Sequence, residues 1–305
     1  MIKGLALTPP VVGRIAIGKV VEKGGKRLPE KDDEFTLTSQ VQTRDGWVNH
    51  PLDEALRKQP GAKLRAIPVR LLFDDVDLNL RANYTLFDRT NGRPVCVGNG
   101  ETSKRATGNG IQVLTCPTPH ACEFGQGVCK PYGRLNVRIG DEDELGSFVF
   151  RTTGFNSIRT LAARLTYFSA LSGGMLSCLP LDLRLRGKST TQSHRAPIYY
   201  VDLTVRSGMT LAEALAEAKA EREKRREAGF DQAALDLAAR VGFANGAFEE
   251  MEEDGTSVVE EFYPEVDSDE DSGAMGSVKD LQQNPLHGRL DSRLNARSRQ
   301  QASHS

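Results

Sequence analysis

Alternation of apolar and polar positions dominates the first 206 residues, and it predicts strands far more often than helices. In GRIAIGKVVEK (13–23), Ile15, Ile17, Val20 and Val21 mark a strand. GGKRLP then reads as a turn, and EFTLTS (34–39) alternates again. AIPVRLLF (66–73) has the continuous apolar character of a buried strand. YTLFDRTNGRPVCVG (84–98) reads as a strand entering a turn at Asn91-Gly92. Leu135, Val137 and Ile139 share one face of GRLNVRI, and Phe148 and Phe150 share one face of GSFVFRTT.

The period changes at residue 156. Ile158, Leu161, Ala162, Leu165 and Phe168 form one stripe of a 3.6-residue repeat, so NSIRTLAARLTYFSALSGG predicts a core helix. Asn156 or Ser157 can cap its start, and Gly173-Gly174 can end it. LPLDLRLRG and IYYVDLTVRSG follow as alternating strands of a hairpin with the long polar connection KSTTQSHRA. From Thr210 the chain is rich in Ala, Glu, Arg and Lys, with a capping-box start at Thr210 and Glu213. That helix has mostly alanines at its apolar positions and is expected to be exposed or lightly packed. DQAALDLAARVGFANG predicts a second helix.

The predicted organisation is a body over 1–206, a helical extension over 207–248 and a disordered acidic then polar tail over 249–305. The tail lacks the apolar residues that would order it.

Charge sharpens this division. The formal net charge of −1 averages unlike parts. Residues 1–206 carry 29 Lys and Arg against 20 Asp and Glu, a balance of +9, whereas residues 249–272 carry twelve Asp and Glu and no Lys or Arg. A basic body can approach a polyanion or an acidic partner, and an acidic tail can compete for the same face or simply keep the chain soluble. No stretch approaches the about 18 apolar residues of a membrane span, and prolines 9 and 10 interrupt the N-terminus with no signal-cleavage pattern after them. The expected location is the cytoplasm, with no membrane contact.

Four of the five cysteines, Cys96, Cys116, Cys122 and Cys129, lie within residues 93–137, a stretch rich in glycine and poor in long apolar runs. In a reducing compartment such a group points to metal more than to disulfides. Four thiolates suit a closed, structural zinc site, whose binding energy substitutes for missing apolar contacts. The spacing departs from paired C-x-x-C knuckles, so a group of unligated thiols stays open as the alternative. His120 is a reserve ligand, and Cys178, at a strand start in apolar surroundings, reads as core.

A catalytic site is harder to find. Neither H-E-x-x-H nor a G-K-[ST] phosphate loop occurs, and the glycines of GNGETSKRATGNG do not sit between a strand and a helix. Glu101 or Glu123 could act as a base beside a zinc-bound water, which keeps a metal-dependent hydrolase as an alternative.

The fold class expected is therefore α+β, a mixed or antiparallel sheet body with a zinc-stapled loop module at 93–137 and one core helix. The order GRIAIG, KRLPEKDDEFTLTS, IPVRLLFDD, NYTLFDRTNGRPVCVGNG, CKPYGRLNVRI, GSFVFRTTGFNSIRTL resembles the recombination directionality factor-like family over residues 12–190. Its best-known members accompany large serine integrases of bacteriophages, and relatives on conjugative elements are often labelled hydrolases or metal-binding proteins.

The resemblance implies an accessory protein without a catalytic step of its own. Such a protein binds a serine integrase, or another recombination protein on DNA, and changes which attachment sites are joined. It also implies that Cys96, Cys116, Cys122 and Cys129 match family-like metal positions. Arg134, Arg138, Arg151, Arg159 and Arg164 would help the body approach a protein–DNA complex with weak, non-specific DNA contact. Without an integrase partner, a DNA-binding regulatory protein is the further alternative.

Overall fold

The computed structural model describes residues 10–243, apart from 24–25, 44–45, 60, 142–145 and 190–196, together with Phe262. Only Gly24 and Gly25 of the predicted GGKRLP turn lie outside the described residues, as do most of the 188–196 connection and nearly all of the predicted tail; Lys26–Pro29, expected in the turn, are already strand, paired with Val20–Lys23.

In chain order the elements are β1 (Val11–Lys23), β2 (Lys26–Thr43), β3 (Gly46–Asn49), α1 (Pro51–Arg57), β4 (Ala66–Leu71), α2 (Val76–Asn79), β5 (Leu80–Phe87) and β6 (Pro94–Gly98). Then follow β7 (Thr102–Thr107), β8 (Gly110–Thr115), β9 (Lys130–Ile139), β10 (Ser147–Thr152), α3 (Phe155–Ser172), β11 (Leu181–Ser189), β12 (Pro197–Val205), α4 (Leu211–Glu227) and α5 (Gln232–Phe243).

The strands form one mixed sheet in the order β3-β2-β1-β10-β9-β5-β6-β7-β8. β1 runs parallel to β10, and every other strand pair is antiparallel. β9 is the branch point. Its first half pairs with β5 and its second half with β4, which continues through β11 to β12.

Strand alternation gives this sheet two unlike faces. Leu135, Val137, Phe148, Phe150, Ile67, Val69, Leu181 and Leu183 point to one side and are buried, with Ile15, Phe35 and Leu37 from the first ribbon. α3 covers that side through Leu161, Leu165 and Phe168, the predicted stripe. Its C-terminus follows the glycine signal, with Gly173 in the left-handed region at φ 63°.

The N-terminus differs from expectation. The helix starts at Phe155 with Gly154 as its cap, and the Ser157 hydroxyl instead accepts the Val201 N–H of β12 at 3.1 Å. A core-facing hydroxyl within reach of β12's backbone is better used there than at the cap.

Three further readings need correction. α1 and α2 are absent from the sequence prediction because seven and four residues cannot display a helical period. α1 is held by tertiary contacts instead: Asp53 accepts the Leu37 N–H at 2.8 Å and pairs with Arg57 at 2.7 Å. Second, α4 is exposed along most of its length, as expected, but one side of it is anchored to the body. Its small residues Ala214 and Ala218 are fully buried, and Arg222 bonds Asp74 in the body. Alanine, uninformative as a hydrophobic signal, here permits close approach. α5 packs in the same way, Ala239 lying against Phe73 and Leu78 while Asp236 accepts the N–H groups of Asp74 and Asp75.

Third, the stretch from 93 is not loop-rich. β6, β7 and β8 form ordinary antiparallel ladders, so backbone hydrogen bonds hold much of what was assigned to a metal.

The capping box is present. The Thr210 hydroxyl accepts the Glu213 N–H at 3.3 Å, and the Glu213 carboxylate accepts the Thr210 N–H at 2.7 Å. Thr210→Ala is expected to lower stability by about 1 kcal/mol, read as a shift of the urea midpoint; no shift would mean α4 is held by its body contacts alone.

Candidate functional site

The four clustered cysteines come from four different local structures. Cys96 lies on β6, opposite Leu86 of β5 and Arg105 of β7. Cys116 follows β8, and its N–H donates to the Glu101 carbonyl at 2.8 Å. Cys122 ends a single 3-10 turn over Pro119–Ala121, and its sulfur accepts the Gly125 N–H at 3.4 Å. Cys129 directly precedes β9. The Arg105 guanidinium stacks on the Phe124 ring at 3.8 Å, which fastens the 122–129 turn to the ribbon.

Two glycines make room for the thiols. A Cβ at Gly98 would stand 2.7 Å from the Cys116 sulfur. One at Gly125 would stand 3.1 Å from the Cys129 Cβ and 3.7 Å from the Cys122 sulfur. All four thiols are half-buried and unoxidised, and Cys178 is fully buried in the core as expected. Burial pushes the Cys129 thiol up to about 12, and the neighbouring Cys96, Cys116 and Cys122 push in the same direction. The four therefore share one electrostatic neighbourhood.

They do not form a ligand shell as they stand. Among the described residues no group of three or more His, Cys, Asp or Glu side chains is placed so that it could hold a metal ion. What the described residues show at the place of the expected module is a β-ribbon with a gathered set of thiols. His120, the reserve ligand, is exposed on the 3-10 turn, and the candidate bases Glu101 and Glu123 are exposed as well. A shallow cleft of about 250 Å³ beside the turn is lined mainly by Leu86, Phe87, Val95, Phe124 and Val128, without an acid–base pair.

The second feature is the sheet face opposite the apolar core. Because β9 alternates, Arg134 and Arg138 share this face with Asn136 and Tyr132. The register places Arg81 of β5 and Arg151 of β10 on either side of Arg134, three guanidinium-bearing positions in a row across three strands. Arg14 joins from β1, opposite Val149, with its guanidinium 3.7 Å from the Trp47 ring. Lys130 lies opposite Thr85, Thr85 opposite Val97, and Val97 opposite Lys104, which extends the face toward β7. Arg14, Arg134 and Arg138 are at least nine-tenths buried despite lying away from the core.

Of the five arginines the sequence proposes for partner approach, this face gathers Arg134, Arg138 and Arg151. Arg159 and Arg164 lie on α3, on the other side of the sheet; Arg164 pairs with Asp202 at 2.8 Å and Arg159 is exposed. Arg14, Arg81, Lys104 and Lys130 are missed by sequence reasoning, since only strand register brings them beside β9.

The same face carries an aromatic cluster. Phe87 and Tyr132 meet edge to face at 5.1 Å, and Phe262 stands 4.8 Å from Phe87 and 6.2 Å from Tyr132. All three are buried. Lys130 donates to the Phe262 carbonyl at 2.9 Å.

None of the helices among the described residues is long and apolar enough to cross a membrane. No curated protein and no solved structure matches the chain. A model of one family, Gp3-like, described as recombination directionality factor-like, matches residues 12–206. That span covers the sheet from β1 to β12, the thiol ribbon and the cationic face, and with it the motif order read from the sequence. The chain belongs to the recombination directionality factor-like family.

Proposed function

We propose that this protein is a non-catalytic accessory factor of DNA recombination on a mobile element, which binds a serine integrase, or the integrase on its DNA, and biases the direction of recombination. The family match over residues 12–206 carries this reading. The structure supports it through a rigid, laterally extended sheet whose outer face is cationic, suited to approaching a protein already seated on phosphates. With the cognate integrase and plasmids bearing its attachment sites, adding the protein is expected to raise the excision-to-integration ratio by about tenfold, equivalent to about 1.4 kcal/mol. An unchanged ratio would count decisively against the proposal.

We further propose that the thiols of Cys96, Cys116, Cys122 and Cys129 take up a Zn2+ ion. The donor set is soft and numerous enough, and the space left at Gly98 and Gly125 fits four sulfurs drawn together. When bound, the ion supplies a crosslink between β6, the end of β8, the 116–129 turn and the start of β9. The chain's own part is to bring these four segments close through its ladders and the Arg105–Phe124 stack.

A DNA-binding regulator without an integrase is the second reading, favoured by the cationic face alone. It requires DNA binding by the purified protein that weakens steeply with salt.

A further inference from the structure

Three strands end the sheet, and each end is finished differently. β3 is only four residues long. β12 starts at a proline, and its Val201 N–H is taken by the Ser157 hydroxyl. Short length, proline and side-chain capture are ordinary ways of blunting an edge. β8 has none of them. It pairs with β7 in unbroken register from Gly110 to Thr115, all six of its residues are exposed, and GIQVLT holds no charge and no proline. Ile111 and Val113, 58% and 70% exposed, stand together on one face of it.

The ladder fixes which backbone groups face outward. Cys116, in step with β8, donates its N–H to the Glu101 carbonyl. By strand alternation Gly110, Gln112 and Leu114 also bond toward β7, whereas Ile111, Val113 and Thr115 turn their N–H and C=O groups away. Among the described residues no strand pairs with that side. Pro117, which has no N–H, closes the row.

We infer that β8 is a dimerisation edge, on which a second copy of this chain adds its own β8, antiparallel, about a two-fold axis through Val113. Only an extended chain satisfies a row of backbone donors and acceptors, and β8 itself has the matching chemistry. The axis sets Val113 against Val113 of the other copy and Ile111 against its Thr115, and each of these pairs exchanges both backbone bonds. The paired side chains are β-branched throughout, which cross-strand contact favours. Gln112 meets Leu114 on the opposite face, so no charge opposes the union. The cations behind the edge, Lys104 and Arg105, lie on β7. Across the axis their Cα atoms stand three strand spacings apart, about 14 Å, beyond the Debye length of about 8 Å. A charged partner strand, by contrast, finds no counter-charge on β8. The inference goes beyond the accessory-factor reading and does not depend on it.

The test is sedimentation of full-length protein over a range of concentrations, with a thiol reductant present. The wild type should pass reversibly from monomer to dimer. Val113→Lys and Val113→Glu leave the core untouched, because the side chain is mostly exposed. Each alone should weaken the dimer at least about tenfold, since like charges then face each other across the axis. Mixed together, the two variants should re-form a dimer with one chain of each, and that dimer should weaken with salt. Misfolding of either variant cannot produce such a rescue. A wild type that stays monomeric at about 100 µM overturns the inference, and so does a dimer that both variants keep or that mixing fails to restore. If the wild type is monomeric and Val113→Lys nonetheless lowers its effect on the excision-to-integration ratio, the edge belongs to a strand of another protein and the second copy is refuted as its occupant.

Discussion

Cys129→Ser protein should carry less than about a tenth of the zinc found in the wild type, which should hold about one ion per chain. Serine keeps the size of the side chain and replaces a soft thiolate with a hard hydroxyl that stays protonated, so one of four bonds is lost and the remaining three leave an open site. The structural consequence is confined. β6, β7 and β8 keep their ladders, and none of the four thiols belongs to the buried cluster that α3 forms with its face of the sheet. Far-UV circular dichroism should change little, while amide exchange over residues 96–129 should rise strongly. Cys178→Ser is the matched control. It perturbs a fully buried core position and should lower stability without changing the zinc content. Equal zinc in wild type and Cys129→Ser, or none in either, would refute the metal assignment.

The largest effect on stability is expected at the branch point of the sheet. Leu135 is fully buried on β9, between Leu80 of β5 and Phe150 of β10, and under α3. Leu135→Ala removes three carbons from a site walled by backbone ladders on both sides, which cannot collapse to fill the space. The cost should be about 3–4 kcal/mol, seen in urea as a lower midpoint with an unchanged slope. Val113→Ala on β8, where the side chain is 70% exposed, should shift the midpoint by less than about 0.5 kcal/mol. Similar losses at the two positions would mean that the packing centre does not lie at β9.

These two positions also show why parts of the fold are legible in sequence and others are not. β9 and β10 separate an apolar core from a polar outer face, so their alternation is strong and their assignment follows directly. β8 is wet on both faces, with Ile111 and Val113 exposed on one side and Leu114 partly exposed on the other. Without a buried face its apolar residues show no contrast, and the segment resembles loop. The helix α4 is legible but its contact with the body is not, for the opposite reason: its buried side chains are alanines, whose small size is the useful property and whose hydrophobicity is slight.

The candidate site divides in the same way. The thiols can be grouped from sequence because they are rare residues at short spacing, but spacing cannot reveal that ladders already support them. Arg134, Arg138 and Arg151 are near one another in sequence and share a face. Arg159 is as near and sits on the far side, because the chain turns into α3 between them. Arg81 and Arg14 arrive from distant strands, and no local pattern announces them. Phe262 is one of two adjacent aromatic residues in an acidic stretch, and what sets it apart is its contact with Phe87 and Tyr132.

The side-by-side alignment of β1 with β10 bears on how the chain is born. Val11 is matched to Ser147, and Ile15 to Phe150, so the first strand leaves the ribosome long before the strand it must lie against exists. During that interval the β1–β2 hairpin keeps Ile15, Phe35 and Leu37 in water, a sticky edge seeking any extended neighbour. Assembly of the amino-terminal third is therefore tied to completion of residues 147–152, and a nascent chain stalled before them should be prone to clumping.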